Sequence, residues 1–155
     1  MPHNSAPRGI LRVAMLVVLT VLLAACTTST GTPITRDGRS AADLAGKEGS
    51  AVILVVTPAY CFACATRIAE WLRQSRTSGI PVHVVLTELP SQDEALLLRR
   101  QRIPVVGELA PRARWSIGRP PAVLVIRDHR VTTSGTLSDP AIVARVADAL
   151  LRSPT

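Results

Sequence analysis

The chain is short of aromatics, lysine, histidine and cysteine, and each shortage narrows what it can be. Only Tyr60, Phe62, Trp71 and Trp115 are aromatic among 155 residues, so any core must be built from Val, Leu, Ile and Ala. With 47% apolar residues such a core is attainable, and disorder of the bulk is excluded. Lys47 is the only lysine, and the net charge of +7 rests on arginines dispersed along the sequence. That pattern fits a solvated surface and argues against a nucleic-acid partner. No apolar run approaches the ~20 residues needed to cross a bilayer comfortably. Three cysteines do not make a disulfide scaffold, and beyond the N-terminal region only His83 and His129 could join them on a metal. Neither histidine is spaced as a zinc ligand, so no metal site is expected.

The first 25 residues stand apart. Arg8 and Arg12 precede residues 13–23, which are apolar except for Thr20, a length that suits the hydrophobic region of a signal peptide. The run ends in Leu23-Ala24-Ala25-Cys26, which resembles the lipobox of bacterial lipoproteins, with Cys26 the lipidated residue. Residues 1–25 are then the signal peptide, 26–33 a flexible polar tether, and 34–152 a single domain. The alternative is an uncleaved anchor helix with Cys26 incidental. Both place the domain outside the cytoplasm at a bacterial membrane, and acyl chains at ~0.8 kcal/mol per buried CH₂ suffice to hold it there. Removing Arg8 and Arg12 lowers the charge from +7 to +5, which leaves some attraction to anionic headgroups.

Along the remaining chain the patterns alternate. Residues 34–47 hold the turn signal Asp37-Gly38 and predict a short β element and a helical turn near 41–45. Residues 51–56 are continuously apolar, as in a strand buried on both faces. From Cys61 the spacing of Ile68, Trp71 and Leu72 predicts a helix that Gly79 stops. A strand follows at 81–86. Ser91 with Glu94 forms a capping box before a helix at 95–102. A short strand at 103–106, a short helix at 109–115, a hairpin of 122–126 with 131–134, and a helix opened by Asp139-Pro140 complete the order. This is an α/β domain with a mixed sheet between helices.

The chemistry gathers at Cys61-Phe62-Ala63-Cys64. A cysteine at a helix N-terminus is favoured as thiolate by unpaired amides and the helix dipole. A second cysteine one turn on can attack the resulting mixed disulfide and release the partner. Cys61 is therefore expected to attack and Cys64 to resolve, with a redox-active Cys61–Cys64 disulfide and no other cofactor. A structural staple is the weaker reading, because so small a loop stabilises by only on the order of 2 kcal/mol. A pair of inert core thiols is the other. Arg119-Pro120-Pro121-Ala122 precedes a buried strand, where proline forfeits a ladder hydrogen bond. A cis X-Pro bond explains it, and a trans loop is the alternative. A proline there can expose backbone to an extended substrate by strand addition.

The segment DGRSAADLAGKEGSAVILVVTPAYCFAC resembles the opening of TlpA/ResA-type thioredoxin-like proteins, relatives of the redoxin and AhpC/TSA group. The resemblance continues through IPVVGELAPRARWSIGRPPAVLVIRDHRV and GTLSDPAIVARVADAL, covering roughly residues 34–151. It implies a thioredoxin-like three-layer fold, with Pro121 as the cis-proline and Pro120 the runner-up. Cys61 and Cys64 are the implied catalytic pair, and Pro121, Pro120, Tyr60 and Phe62 the implied substrate contacts. Tyr60 stands where the family has Trp, and Pro58 where a small residue is common. The acid that thioredoxins bury before the CxxC falls at Val55, and the glutamate of ResA-like helices falls at Arg67. Glu70 lies too far along the helix to replace it.

The resemblance implies a membrane-anchored extracytoplasmic thiol–disulfide oxidoreductase, with reduction of exported protein disulfides the favoured direction. Apocytochrome c maturation or envelope redox maintenance would suit it. Its partners would be exported protein thiols and disulfides, a membrane electron donor, and the bilayer through Cys26. A binding lipoprotein without turnover is the alternative. A thiol peroxidase fits less well, because Thr57 lies four residues before Cys61 where peroxiredoxins place Thr at three. A copper chaperone of the SCO type needs CxxxC, and the spacing here differs.

Overall fold

The computed structural model describes residues 31–117 and 119–152. The elements are α1 (Ala41–Ala45), β1 (Ala51–Val56), α2 (Pro58–Ala63), α3 (Ala65–Ser78), β2 (Val82–Leu86) and α4 (Gln92–Arg100). They continue with β3 (Val105–Glu108), α5 (Arg114–Ile117), β4 (Ala122–Arg127), β5 (Arg130–Thr136) and α6 (Pro140–Leu151). The strands form one sheet in the order β3-β2-β1-β4-β5. The first three run parallel, whereas β4 and β5 are antiparallel additions. The predicted α/β class with a mixed sheet is what forms.

The apolar run of β1 makes it the central strand, and all six of its residues are buried. Its alternation divides the core into two layers. Val52, Leu54 and Val56 face Cys61, Ile68, Trp71, Val146 and Leu150. Ala51, Ile53 and Val55 face Ile34, Leu44, Leu109, Ala113 and Ile117. Fully burying each large aliphatic side chain stabilises the fold by about 1.5–3 kcal/mol before entropy is counted. Helices α3 and α6 pack side by side on the first layer, and α1 covers the second.

Local signals account for most boundaries. Ser91 and Glu94 form the expected capping box, and Ser40 with Asp43 forms another at α1. Asp139 caps α6, with Pro140 in its first turn. The hairpin between β4 and β5 turns on Asp128 and His129 at φ 50 and 60, so the two-residue primed turn carries no glycine.

Three boundaries differ from the sequence expectation. The strand expected at 103–106 begins at Val105, because Ile103 N–H bonds back to the Leu98 carbonyl and Pro104 has no N–H. The helix expected at 109–115 begins at Arg114, since the amides of Leu109 and Ala110 are taken by the carbonyls of Leu86 and Ile34. The helix expected from Cys61 opens at Pro58 and is interrupted at Cys64. Residue Cys26 and the expected signal peptide lie outside the described residues. Among those described, no helix is long and apolar enough to cross a membrane.

Candidate active site

β1 delivers the chain to Thr57, which caps α2. Its hydroxyl and carbonyl both accept from the Tyr60 amide, at 3.2 and 3.1 Å. Proline is favoured just after such a cap, because its fixed φ suits the helix and its missing N–H is not needed. Thr57-Pro58 is thus the same start signal as Asp139-Pro140, set directly after the last residue of β1.

The earlier start changes the surroundings of Cys61. It is the fourth residue of α2, and its amide is already engaged by the Thr57 carbonyl at 3.4 Å. Its relative exposure is 0%. Burial pushes its thiol up from 9.0 to about 11, against a smaller opposing effect of its backbone hydrogen bond. The expectation that Cys61 begins the helix, where free amides would favour its thiolate, is therefore corrected.

Cys64 sits at the interruption. Its φ of −111° and ψ of 19° leave the helical region, and α3 begins at the next residue. The backbone chain nevertheless continues through it: its amide donates to the Tyr60 carbonyl, and its carbonyl accepts from the Ile68 amide, both at 3.0 Å. Both cysteines are free thiols, with Cys64 the more accessible. Tyr60, four residues earlier, is half-buried against the same core layer. Burial first, and then the neighbouring Cys64, push the phenol up to about 12, while Arg67 acts in the opposite sense. The Phe62 side chain lies outside the described residues.

The cis peptide bond is Pro120-Pro121, so Pro121 occupies the position the resemblance implies. Ala122 lies opposite Val55, which sets Pro121 beside the end of β1 that feeds the CxxC. Neither proline has an N–H to offer. The Pro121 carbonyl accepts from the Leu137 amide at 3.0 Å and from the Thr136 hydroxyl at 3.2 Å. Strand addition through the Pro121 backbone is therefore closed by β5 and its continuation, and only the ring is presented.

No carboxylate is among the groups that shift the Cys61 thiol. Val55, the position of the missing acid, is fully buried in the layer opposite Cys61. Arg67 is exposed on α3, and Glu70 turns away to Arg73 at 2.6 Å and Gln74 at 2.9 Å. Outside the site, His83 Nε2 donates to the Leu44 carbonyl at 2.9 Å, and burial lowers its pKa. Trp71 belongs to the core. Among the described residues no three His, Cys, Asp or Glu side chains gather as a metal site.

No family model and no curated protein matches the sequence. Solved structures match the fold. A thioredoxin-family thiol:disulfide interchange protein from Chlorobium tepidum is 18% identical, with a TM-score of 0.51 over 77% of this chain and 91% of that one. The thioredoxin domain of a thiol-disulfide oxidoreductase from Bacteroides vulgatus is 13% identical, with a TM-score of 0.53 over the same shares. A thio-disulfide isomerase from Thermus thermophilus is 18% identical, with a TM-score of 0.51 over 81% of this chain and 98% of that one. The fold is thioredoxin-like. At these identities the likeness is one of architecture, and the chemistry rests on the residues.

Proposed function

We propose that the chain is a thiol–disulfide oxidoreductase, anchored to a bacterial membrane outside the cytoplasm through Cys26, that reduces disulfides of exported proteins. One observation carries the reading: two free thiols one helical turn apart follow the central strand, and a cis-proline leads into the strand paired with that strand's end. A dithiol so placed can pass two electrons to a disulfide by exchange and close as Cys61–Cys64. A membrane electron donor would reopen that disulfide, and the bilayer and exported protein thiols and disulfides would be its partners.

The experiment is dithiol-driven reduction of insulin by the full chain, alongside Cys61→Ser and Cys64→Ser. Turnover that both substitutions abolish is expected. Equal activity in all three proteins would sink the proposal. A second reading, a binding lipoprotein that keeps the scaffold without turnover, is favoured by the complete burial of Cys61 and by Val55 in the acid position. Wild-type protein that fails to reduce insulin yet folds normally would support it.

A further inference from the structure

We propose that the edge of the domain built from α4, the loop before it and β3 lies against an anionic bilayer, so that side chains as well as the tether meet the membrane. The inference rests on the membrane placement in the reading above and is independent of the redox chemistry.

The apolar side chains come first. Among the described residues Leu89, Leu96, Leu97 and Val105 are 72, 48, 41 and 38% exposed, and all four belong to this edge. Leu98 turns α4 to the core and leaves Leu96 and Leu97 outward. Leu89 and Val105 line an open groove of about 380 Å³ between α4 and β3, together with Leu86, Leu98 and Ile103. Apolar side chains gathered in this way, with charge at their rim, mark an interaction surface.

Charge selects the occupant. Arg99, Arg100 and Arg102 follow the leucines and make no ion pair among the described residues. Of the acids nearby, Glu94 accepts from the Ser91 amide and Glu108 from Arg36. Glu88 and Asp93 remain, at the end of α4 away from the arginines. Leucines beside unpaired arginines suit the boundary between acyl chains and anionic headgroups. The leucines enter the apolar side of that boundary, while the guanidinium groups reach the headgroups on their apolar stems.

The path of the chain agrees. It joins the fold through the bridge of Thr35 with Leu109, just past the end of β3. An anchor at Cys26 would bring lipid nearer to this edge than to β5, which is the opposite edge of the sheet.

The test is quenching of tryptophan by lipid, with the full chain bound to vesicles of phosphatidylglycerol and phosphatidylcholine brominated on their acyl chains. Leu96→Trp puts a reporter on the proposed face, and Val131→Trp puts one on β5 at a site of similar exposure. The wild-type signal is subtracted from both. Quenching at least about threefold stronger for Leu96→Trp is expected, and adding Arg99→Glu with Arg100→Glu should abolish the difference. Equal quenching of the two reporters, or a difference that the double reversal leaves intact, overturns the inference. An unquenched Leu96→Trp on vesicles that carry the protein also overturns it, leaving the leucines to a protein partner and the membrane placement standing. Vesicles that carry no protein defeat the placement and the inference together.

Discussion

The Tyr60 carbonyl accepts from the Cys64 amide at 3.0 Å, one helical turn ahead of it and past Cys61. The residue that sequence comparison sets beside the first cysteine is thus bonded to the second. The side chains of both pack against the core layer that holds Cys61. Tyr60→Ala removes the half-buried ring from that layer and should destabilise the fold by about 1–3 kcal/mol. The measurement is the urea midpoint, and an unchanged midpoint would show that the ring contributes nothing.

Alkaline pH should loosen the reduced fold. Burial raises Cys61 from 9.0 to about 11, and burial with the neighbouring Cys64 raises Tyr60 from 10.0 to about 12. Both are neutral in either state below pH 9, so their contribution is complete there. As pH rises, the unfolded chain releases its protons first and the folded state loses ground. Urea midpoints of the reduced protein should therefore fall between pH 9 and 11, and Cys61→Ala should flatten that fall. A pH-independent midpoint across this window would contradict the burial of both groups.

Restoring the acid of better-known thioredoxins should cost stability. Val55 is fully buried and lies in the core layer away from Cys61, so a carboxylate there meets no cation. Val55→Asp is expected to destabilise by about 3–5 kcal/mol at pH 7, as an unpaired buried charge does. Acidification to pH 5 should recover part of the loss by protonating it. Chemical denaturation at the two pH values measures both effects.

Gly135 on β5 lies directly against Ile142 of α6. A Cβ there would lie 2.6 Å from both Cγ1 and Cδ1 of Ile142, which is itself buried. Gly135→Ala should destabilise by about 1–3 kcal/mol through overpacking. Ile142→Ala in the same chain should cost less than the two single changes summed, a non-additivity readable from urea curves.

Residues 51–56 read as a buried strand in sequence because nothing polar interrupts them, and the fold places them at its centre. The capping box at Ser91 and the cap at Asp139 were legible for the same reason: each is a local bond between neighbours in the chain. A proline set against a buried strand left cis and trans both open, and it was the family resemblance that singled out Pro121, where the cis bond lies. What stayed hidden depends on non-local partners. The late starts of β3 and α5 follow from where Leu98, Leu86 and Ile34 offer carbonyls, and closure of the Pro121 backbone follows from Leu137 and Thr136. Thr57-Pro58 was readable as a helix start but was masked by its second use as the end of a strand. The Tyr60–Cys64 bond needed the helix to begin early enough to set them one turn apart.

The bridge between Thr35 and Leu109 has a bearing on geography. Leu109 continues β3 past its last residue, on the side where β1 and β2 also finish, since the three run parallel. The polypeptide therefore comes into the domain at the reactive end of the sheet, three strand spacings from the turn into the cysteines, about 14 Å. A bilayer holding Cys26 would grip the molecule on its working side, and the eight residues of 26–33 extend to no more than about 30 Å. On the anchor proposed above the thiols would sweep a shallow zone next to the lipid, and the proteins within reach would be those whose disulfides lie close to the membrane surface.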